Sequence, residues 1–362
     1  MIALDYVIKL FRLKHWWNYI VPPVLSAVYF VLIFSEINFL ESIFYVLLSF
    51  LTIISTAAFG FFLNDWTDIE SDRISNKSNL VAQLSKRTRW TIIVFLLIIA
   101  IIPWIFIYNS LISLMLFSTQ LILLTGYSVP PLRLKKHLYI AIICDSLYSG
   151  LIFMLAIIYS KSIIKNQLHF ENLLLFVFIV LFILRGIRNI LIHQMLDAKN
   201  DISANILTIA NKYGSNFCLR IIKQFFVMVE IVMIFCFTLI LSFSLRYFWL
   251  IIPIFIVYFS LKIFDKKLIQ GNFILKIQIL NDFYEDFIPL SFLIFLTINN
   301  ISFLFLMILH IISFRNKIIW LFVQKILYGY VYRKIIIWFY YKGLCNKYAK
   351  RAYFYLGFKP KD

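Results

Sequence analysis

Charged residues are scarce in this sequence. Only 14% of its 362 residues are Asp, Glu, Lys or Arg, against about 25% in an average globular domain, and 62% are apolar. This leaves no room for a separate soluble domain of useful size. The N-terminus lacks a small-residue cleavage site after a short apolar core, so a cleaved signal peptide is not expected. Paired cysteine spacing is also missing, which excludes a cysteine-based metal or disulfide framework; the four are Cys144, Cys218, Cys236 and Cys345.

Long apolar runs take the place of the missing charge. Runs of about 17–25 apolar residues are long enough to cross a bilayer as helices. We interpret nine runs as membrane spans, at residues 16–34, 42–63, 90–108, 110–129, 138–160, 172–193, 217–242, 247–264 and 287–312. The chain is therefore predicted to be an all-helical, multi-pass protein of the cell membrane.

Basic residues are concentrated in alternate connections between the predicted spans. They precede the first span and follow spans 2, 4, 6 and 8, whereas the other connections contain only Lys161, Lys165 and Arg246. Cytoplasmic loops carry an excess of Lys and Arg. The N-terminus and the loops after the even-numbered spans are therefore predicted to face the cytoplasm.

Acidic residues are half as frequent as basic ones, 17 against 35, and several lie in one short segment. NDWTDIESD, residues 64–72, ends the second predicted span. Its Asp65, Asp68 and Asp72 stand at i, i+3 and i+7, which is one face of a helix. Three like charges repel one another, and Mg²⁺ binds carboxylate oxygens while keeping positions for water and phosphate. The segment therefore predicts a site for a phosphorylated ligand at the membrane surface.

A second acidic pair lies on the same predicted side. HQMLDAKNDISANILT places Asp197 and Asp201 at i, i+4, four spans after the first segment. If the helix continues this far, Asn189 and His193 join them in one stripe that suits cation coordination. His193 can equally be a polar core residue. The repeated spacing predicts two related four-helix halves plus one further span.

The loop after the fourth predicted span is basic. It reads TGYSVPPLRLKKH, and Pro130 and Pro131 are expected to end the preceding helix. Lysines beside a phosphate can stabilise the charge of a leaving group, but these residues would also serve as a positive-inside anchor. The side chains left near the headgroups are Tyr127, Arg133, Lys135 and Lys136.

These three segments together resemble the motifs of one family. NDWTDIESD matches the pattern NDxxDxxxD, YSVPPLRLK is similar to YSxPPLxLK, and DAKNDISANILT resembles DxxxDxxxGxxT. They occur in the order found in the UbiA superfamily of intramembrane prenyltransferases, over roughly residues 10–312. The resemblance implies a UbiA-like helical bundle. It also implies transfer of an isoprenyl group from a prenyl diphosphate to an aromatic or lipid acceptor, with membrane lipids as further partners.

The resemblance implies roles for individual residues. One of two magnesium ions would be held by Asn64, Asp65, Asp68 and Asp72. The second would be held by Asp197 and Asp201, with Asn189 and His193 as further candidates. The diphosphate would contact Tyr127, Arg133, Lys135, Lys136 and Arg73. The residues expected to be catalytic are Asp68, Asp197 and Lys135.

Other activities fit the same scaffold. A UbiA-type terpene cyclase would capture the carbocation with the substrate's own double bonds, and a third option is phosphoribosyl transfer to a polyprenyl phosphate. A transporter or a lipid-binding membrane protein would belong to a different class. The acids concentrate at one face, which disfavours a transport path across the membrane.

Further charged residues lie inside or beside the predicted spans. Arg185 and Arg188 are deep in the sixth span, where an unpaired charge is costly. Arg188 is expected to pair with Asp145 or Glu230 or to contact a ligand. NDFYEDF, residues 281–287, is expected to be the capped and solvated start of the ninth span.

The last 48 residues, 315–362, contain eleven Lys or Arg and one acid, interleaved with aromatic residues. We predict a separate extension after a membrane domain at 1–314, as an interfacial amphipathic helix or an extra span, with no nucleic-acid partner. Nine spans would place this basic tail outside. Either 318–341 crosses the membrane, the ninth span re-enters at Asn299–Asn300, or the tail is an exception to the positive-inside rule.

Overall fold

A computed structural model describes residues 2–35, 37–107, 110–160, 168–203, 206–245, 249, 251–263, 273–314 and 319. In these ranges all regular structure is helical, and no strand is present. Residues 2–314 belong to one compact unit, Met1–Phe314. The predicted basic extension lies outside the described residues except for Ile319, so its boundary and its form stay predictions.

The first half of the bundle contains eight α-helices. They are α1 (Ile2–Leu10), α2 (Leu13–Phe34), α3 (Phe39–Thr67), α4 (Ile69–Ile74), α5 (Lys86–Ile107), α6 (Leu111–Ser128), α7 (Leu138–Ser146) and α8 (Ile152–Ile158). A π-helical turn, Leu147–Leu151, joins α7 to α8. Short 3₁₀ helices occupy two loops, Leu80–Gln83 and Leu134–Lys136.

The described residues of the second half form another eight. They are α9 (Leu168–Ser203), α10 (Ile209–Tyr213), α11 (Ser215–Ile221), α12 (Val227–Ser244), α13 (Ile251–Ile263), α14 (Phe273–Asp282), α15 (Ile288–Asn299) and α16 (Leu304–Ser313). π-helical turns at Ile222–Phe226 and Phe283–Phe287 join α11 to α12 and α14 to α15.

Seven helical stretches of the described chain are long and apolar enough to cross a membrane. They are Leu13–Phe34, Phe39–Thr67, Lys86–Phe106, Leu111–Ser128, Leu138–Ile158, Leu173–Ala198 and Ser215–Ser244. These coincide with the first seven predicted spans. The predicted eighth span, 247–264, is described only in part and contains α13. The predicted total of nine therefore stays a prediction.

The predicted ninth span, 287–312, is interrupted. α15 ends at Asn299, and the extended Asn300 starts a new 3₁₀ turn, Ile301–Phe303, by accepting a hydrogen bond from the Ser302 amide. The helix is therefore broken at Asn299–Asn300. This is the position at which the ninth span re-enters the membrane in one of the three alternatives given for the chain's C-terminal part.

After the break, the chain runs back along α2. The ring of Phe303 lies 5.4 Å from that of Phe39, just beyond the C-terminal end of α2. Farther along, His310 hydrogen-bonds Tyr29. At the end of α16, the Trp17 indole donates to the carbonyl oxygen of Ser313 at 2.9 Å. α16 is therefore antiparallel to α2 and returns toward the end of the bundle where α2 begins.

α7 and α9 cross unusually closely. A Cβ atom on Gly186 of α9 would lie 2.6 Å from the Cα atom of Ser146 on α7. Backbone cannot yield as a flexible side chain can, so glycine is required at this crossing. The contact holds the C-terminal end of α7 against the stretch of α9 that leads to the second acidic pair.

Candidate active site

The first acidic segment follows a nearly continuous helical path. α3 ends at Thr67 and α4 starts at Ile69, with Asp68 between them at φ −99° and ψ 3°. Helical hydrogen bonds continue through the junction, from the Asp68 amide to Asn64 and from the Asp72 amide to Asp68. The predicted helix at 65–72 is thus present, with a local distortion at Asp68.

The basic loop after α6 lies against this segment. Lys135 pairs with Asp68 and also donates to the side-chain oxygen of Asn64 at 2.9 Å. Arg133 donates to the same carboxylate oxygen of Asp68 at 3.0 Å. Burial lowers the pKa of the Lys135 amine, and the Asp68 carboxylate opposes that shift. Two cations of the basic loop therefore share one acid of the first acidic segment.

Two side chains outside the three motifs complete the surroundings of this segment. Arg12 lies between α1 and α2 and has a left-handed backbone conformation. Its guanidinium donates a hydrogen bond to the Asp65 carboxylate at 3.0 Å. Asn79 donates to the carboxylate of Asp72 at 2.8 Å and to the backbone of Asp65 at 2.7 Å. In the sequence Arg12 signals only orientation, since nothing in its spacing connects it with residue 65.

The second acidic pair lies where it was predicted. α9 remains helical to Ser203, so Asn189, His193, Asp197 and Asp201 do form an i+4 series. Burial and the neighbouring Asp197 carboxylate raise the pKa of Asp201 to about 6. The amine of Lys77, in the loop after α4, lies 3.8 Å from Asp197. This contact brings the region after the first acidic segment beside the second pair.

The other three residues predicted to contact the diphosphate lie in different surroundings. Tyr127 is in the last turn of α6, and its ring packs edge-on against Tyr148 with centroids 5.0 Å apart. Arg73 and Lys136 are exposed, and in the described ranges neither forms an ion pair with an acid. The roles predicted for these residues at the diphosphate stay predictions.

Oxygen donors of the type that Mg²⁺ prefers are present in both acidic groups. In the described part of the chain, no three His, Cys, Asp or Glu side chains converge as a ready-made metal site. Asp65 and Asp68 are instead paired with arginine and lysine. The half-exposed Asp197 and the raised pKa of Asp201 show that the second pair would gain from a cation. The donor set therefore fits magnesium.

A buried ionic network lies apart from these motifs. Arg188 and Glu230 are fully buried and form a bidentate pair, with N···O distances of 2.7 and 2.9 Å. Arg188 also donates to Asn189 and Asn281. Of the alternatives expected for Arg188, the structure shows the ion pair with Glu230.

The NDFYEDF segment is not the solvated helix start that was predicted. It forms the π-helical turn between α14 and α15, and Asp282, Glu285 and Asp286 are all buried. Tyr258 donates to Asp282, and Arg185 lies 3.8 Å from Glu285. The sequence pattern of acids at a span boundary did not reveal these partners, which come from distant helices.

Residues 20–271 match the model of the UbiA prenyltransferase family. The chain belongs to the UbiA prenyltransferase family. The predicted resemblance and the predicted enzyme class, a prenyltransferase, are thereby confirmed. Membership and the seven long apolar helices identify an integral membrane protein. No curated protein sequence gives a significant match.

Solved structures share the UbiA fold at low sequence identity. A UbiA homologue from Archaeoglobus fulgidus bound to DMAPP and Mg²⁺ is 16% identical, with a TM-score of 0.53, covering 79% of this chain and 98% of that one. The same homologue bound to GPP and Mg²⁺ gives 15% identity, a TM-score of 0.55, and coverage of 79% and 99%. A digeranylgeranylglyceryl phosphate synthase is 19% identical, with a TM-score of 0.52, covering 81% of this chain and 98% of that one.

Proposed function

We propose that this protein transfers an isoprenyl group from a prenyl diphosphate to an aromatic or lipid acceptor within the membrane, in a magnesium-dependent reaction. The observation that carries the proposal is the meeting of three separate motifs. Lys135 and Arg133 contact Asp68, and Lys77 reaches Asp197. Acids from two helices and cations from two loops thus lie at one end of the bundle.

The first acidic group would hold one Mg²⁺ through Asn64, Asp65, Asp68 and Asp72, and the second group another through Asp197 and Asp201. Bound there, the ions would neutralise diphosphate charge and assist its departure. The basic side chains supply the rest of the positive charge. Lys135 and Arg133, now paired with Asp68, can donate to diphosphate oxygens instead, and Arg12 can do the same beside Asp65.

Two of the similar structures support the donor and the cation. The Archaeoglobus fulgidus homologue has been solved with DMAPP and Mg²⁺ and with GPP and Mg²⁺. A dimethylallyl or geranyl diphosphate is therefore a reasonable first donor to test here.

The active site is proposed to face the cytoplasm. The loops that contribute Lys77, Arg133 and Lys135 are among the most basic connections of the chain. Because such loops are retained on the cytoplasmic side, the diphosphate would enter from there. The isoprenyl tail would extend among the apolar helices.

The proposal is tested with purified full-length protein, Mg²⁺ and radiolabelled prenyl diphosphates of several lengths. Quinone precursors, chlorin precursors and glycerol phosphates serve as acceptors, and products are identified by mass spectrometry. We expect a prenylated acceptor and release of pyrophosphate. A cyclic hydrocarbon or alcohol formed without acceptor would indicate a terpene cyclase instead. No turnover of any donor would contradict both.

A further inference from the structure

Asp145 is an ionisable side chain within a membrane span that the donor site does not use. It lies in the last turn of α7, seven residues from the start of that helix at Leu138. At 1.5 Å per residue this places it about 10 Å along the span. A carboxylate at such a depth is costly, and where one occurs it commonly serves a function.

The local backbone holds Asp145 in a defined position. The π-helical turn Leu147–Leu151 begins two residues later, and such turns frequently occur at functional sites. The side chain of Gln120 donates to the Tyr148 carbonyl in this turn at 2.8 Å. The close crossing of Ser146 with Gly186 then fixes this part of the chain against α9.

Only one oxygen of Asp145 is engaged by a described residue. The hydroxyl of Tyr148 donates to Oδ1 at 2.7 Å. The residue keeps part of its surface accessible, although it lies among the helices. His193 of α9 is also exposed and lies within electrostatic range of Asp145. Oδ2 is thus left available for a ligand between α7 and α9.

Tyr127 connects this carboxylate with the donor site. Its ring packs against that of Tyr148, the hydrogen-bond partner of Asp145. The carboxylates of Asp145 and Asp68 both act electrostatically on its hydroxyl. Tyr127 is therefore close enough to be influenced both by Asp145 and by Asp68, the acid that contacts Lys135 and Arg133.

We propose that Asp145 is the acceptor-side base of this enzyme and that the acceptor carries a hydroxyl group at or beside its reacting atom. The inference rests on the proposed prenyl transfer and specifies its second substrate. Tyr148 is a positioning residue, since its hydrogen bond to Oδ1 turns Oδ2 toward the acceptor.

The transfer balances with groups already named. The bond between the allylic carbon and the diphosphate oxygen breaks, and its electron pair leaves with the diphosphate. A new bond forms between the allylic carbon and the acceptor. The acceptor's hydroxyl proton passes to Oδ2 of Asp145, so the acceptor gains no net charge. Where the new bond is to the ring carbon beside the hydroxyl, the resulting dienone becomes aromatic again when the hydrogen on that carbon moves to the oxygen. The carboxylic acid later returns this proton to water.

The test uses the full chain in lipid nanodiscs, with Mg²⁺ and labelled geranyl diphosphate. The acceptor probes are 4-hydroxybenzoate, 1,4-dihydroxy-2-naphthoate and a glycerol phosphate monoether, together with the methyl ethers of the two aromatic compounds. Donor binding and transfer are measured separately for the unsubstituted protein and for Asp145→Asn, Asp145→Glu and Tyr148→Phe. Ser149→Ala, in the same π-helical turn, is the matched control.

We expect Asp145→Asn to bind geranyl diphosphate as the unsubstituted protein does but to lower kcat by about 100-fold or more, the contribution of a general base. Asp145→Glu should recover part of this loss, Tyr148→Phe should give a smaller loss, and Ser149→Ala should have no effect. Neither methyl ether should be prenylated.

Transfer by Asp145→Asn at the unsubstituted rate would overturn the inference and leave the proposed function intact. Equal use of a methyl ether would do the same. If Asp145→Asn lost both donor binding and transfer, Asp145 would have only a structural role, and the inference would be overturned. If the unsubstituted protein bound no geranyl diphosphate and prenylated no probe, the proposed function itself would be contradicted.

Discussion

At the scale of single residues, Asp68 is the acid that two cations of the basic loop contact. Asp68, Lys135 and Arg133 were expected near one another, and they are bonded. Arg12 and Asn79 were missed because their partners, Asp65 and Asp72, are specified by folding rather than by spacing. Sequence spacing identifies neighbours along one helix, but it carries no signal for a contact across 53 residues.

Lys135 should be essential for transfer. It contacts both Asp68 and Asn64, and in the proposed reaction it would stabilise the charge of the leaving diphosphate. Lys135→Met is expected to lower kcat by about 100-fold or more, as when one donor is removed from an oxyanion site. Steady-state assays with geranyl diphosphate measure this. Lys86→Met, at the exposed start of α5, is the control, and equal activity of the two variants would contradict the role.

The Arg188–Glu230 pair should stabilise the bundle. Both side chains are fully buried, so removing one leaves the other charged and unpaired. Arg188→Met or Glu230→Leu is expected to cost about 3–5 kcal/mol. The double variant Arg188→Met, Glu230→Leu should be less destabilised than the single variants. Thermal unfolding in detergent measures the three, and additive losses would refute the pairing.

At the scale of helices, hydrophobic runs located seven spans, but they did not show where helices bend or what they bury. The helix of the predicted sixth span, 172–193, extends in the structure to Ser203. The second acidic pair lies on this helical extension. The buried acids of NDFYEDF looked solvated in sequence because their partners come from other helices. Tertiary pairing overrides the usual preference of acids for water.

The crossing of α7 and α9 supplies a test at this scale. Gly186→Ala should disturb it, since the added carbon would meet the backbone of Ser146 at 2.6 Å. Overpacking of this kind costs about 1–3 kcal/mol. We expect a lower unfolding temperature and reduced transfer. Gly60→Ala is the matched control, because its added carbon meets only the flexible end of Leu124. The crossing is not critical if both variants behave alike.

At the scale of the whole molecule, the family and the helical bundle followed from composition and motif order, whereas the path of the chain after α15 did not. Composition reports that 287–312 is apolar, and an apolar run can cross, turn or return. The contacts of Phe303, His310 and Ser313 with α2 and its C-terminal flank show a return. The structure therefore shows a break and a return at 287–312, in line with one of the three alternatives, rather than one continuous span.

The return has a consequence for membrane topology. Ser302 lies beside the C-terminal end of α2, while Ser85 lies at the end of the bundle that carries the acidic segments. In a protein lacking the four native cysteines, Ser302→Cys and Ser85→Cys should react with a membrane-impermeant maleimide from opposite sides. We expect Ser85→Cys to be labelled only from the cytoplasm. Labelling of both from one side would contradict this arrangement.

The most direct measurement is binding of geranyl diphosphate to the purified protein by isothermal titration calorimetry, with and without Mg²⁺. Unsubstituted protein should bind the ligand only with Mg²⁺. Asp68→Asn and Asp197→Asn, one from each acidic group, should each weaken binding by at least about tenfold, equivalent to about 1.4 kcal/mol, while remaining folded. Magnesium-independent binding, or unchanged affinity in both variants, would contradict a diphosphate site built from the two acidic groups.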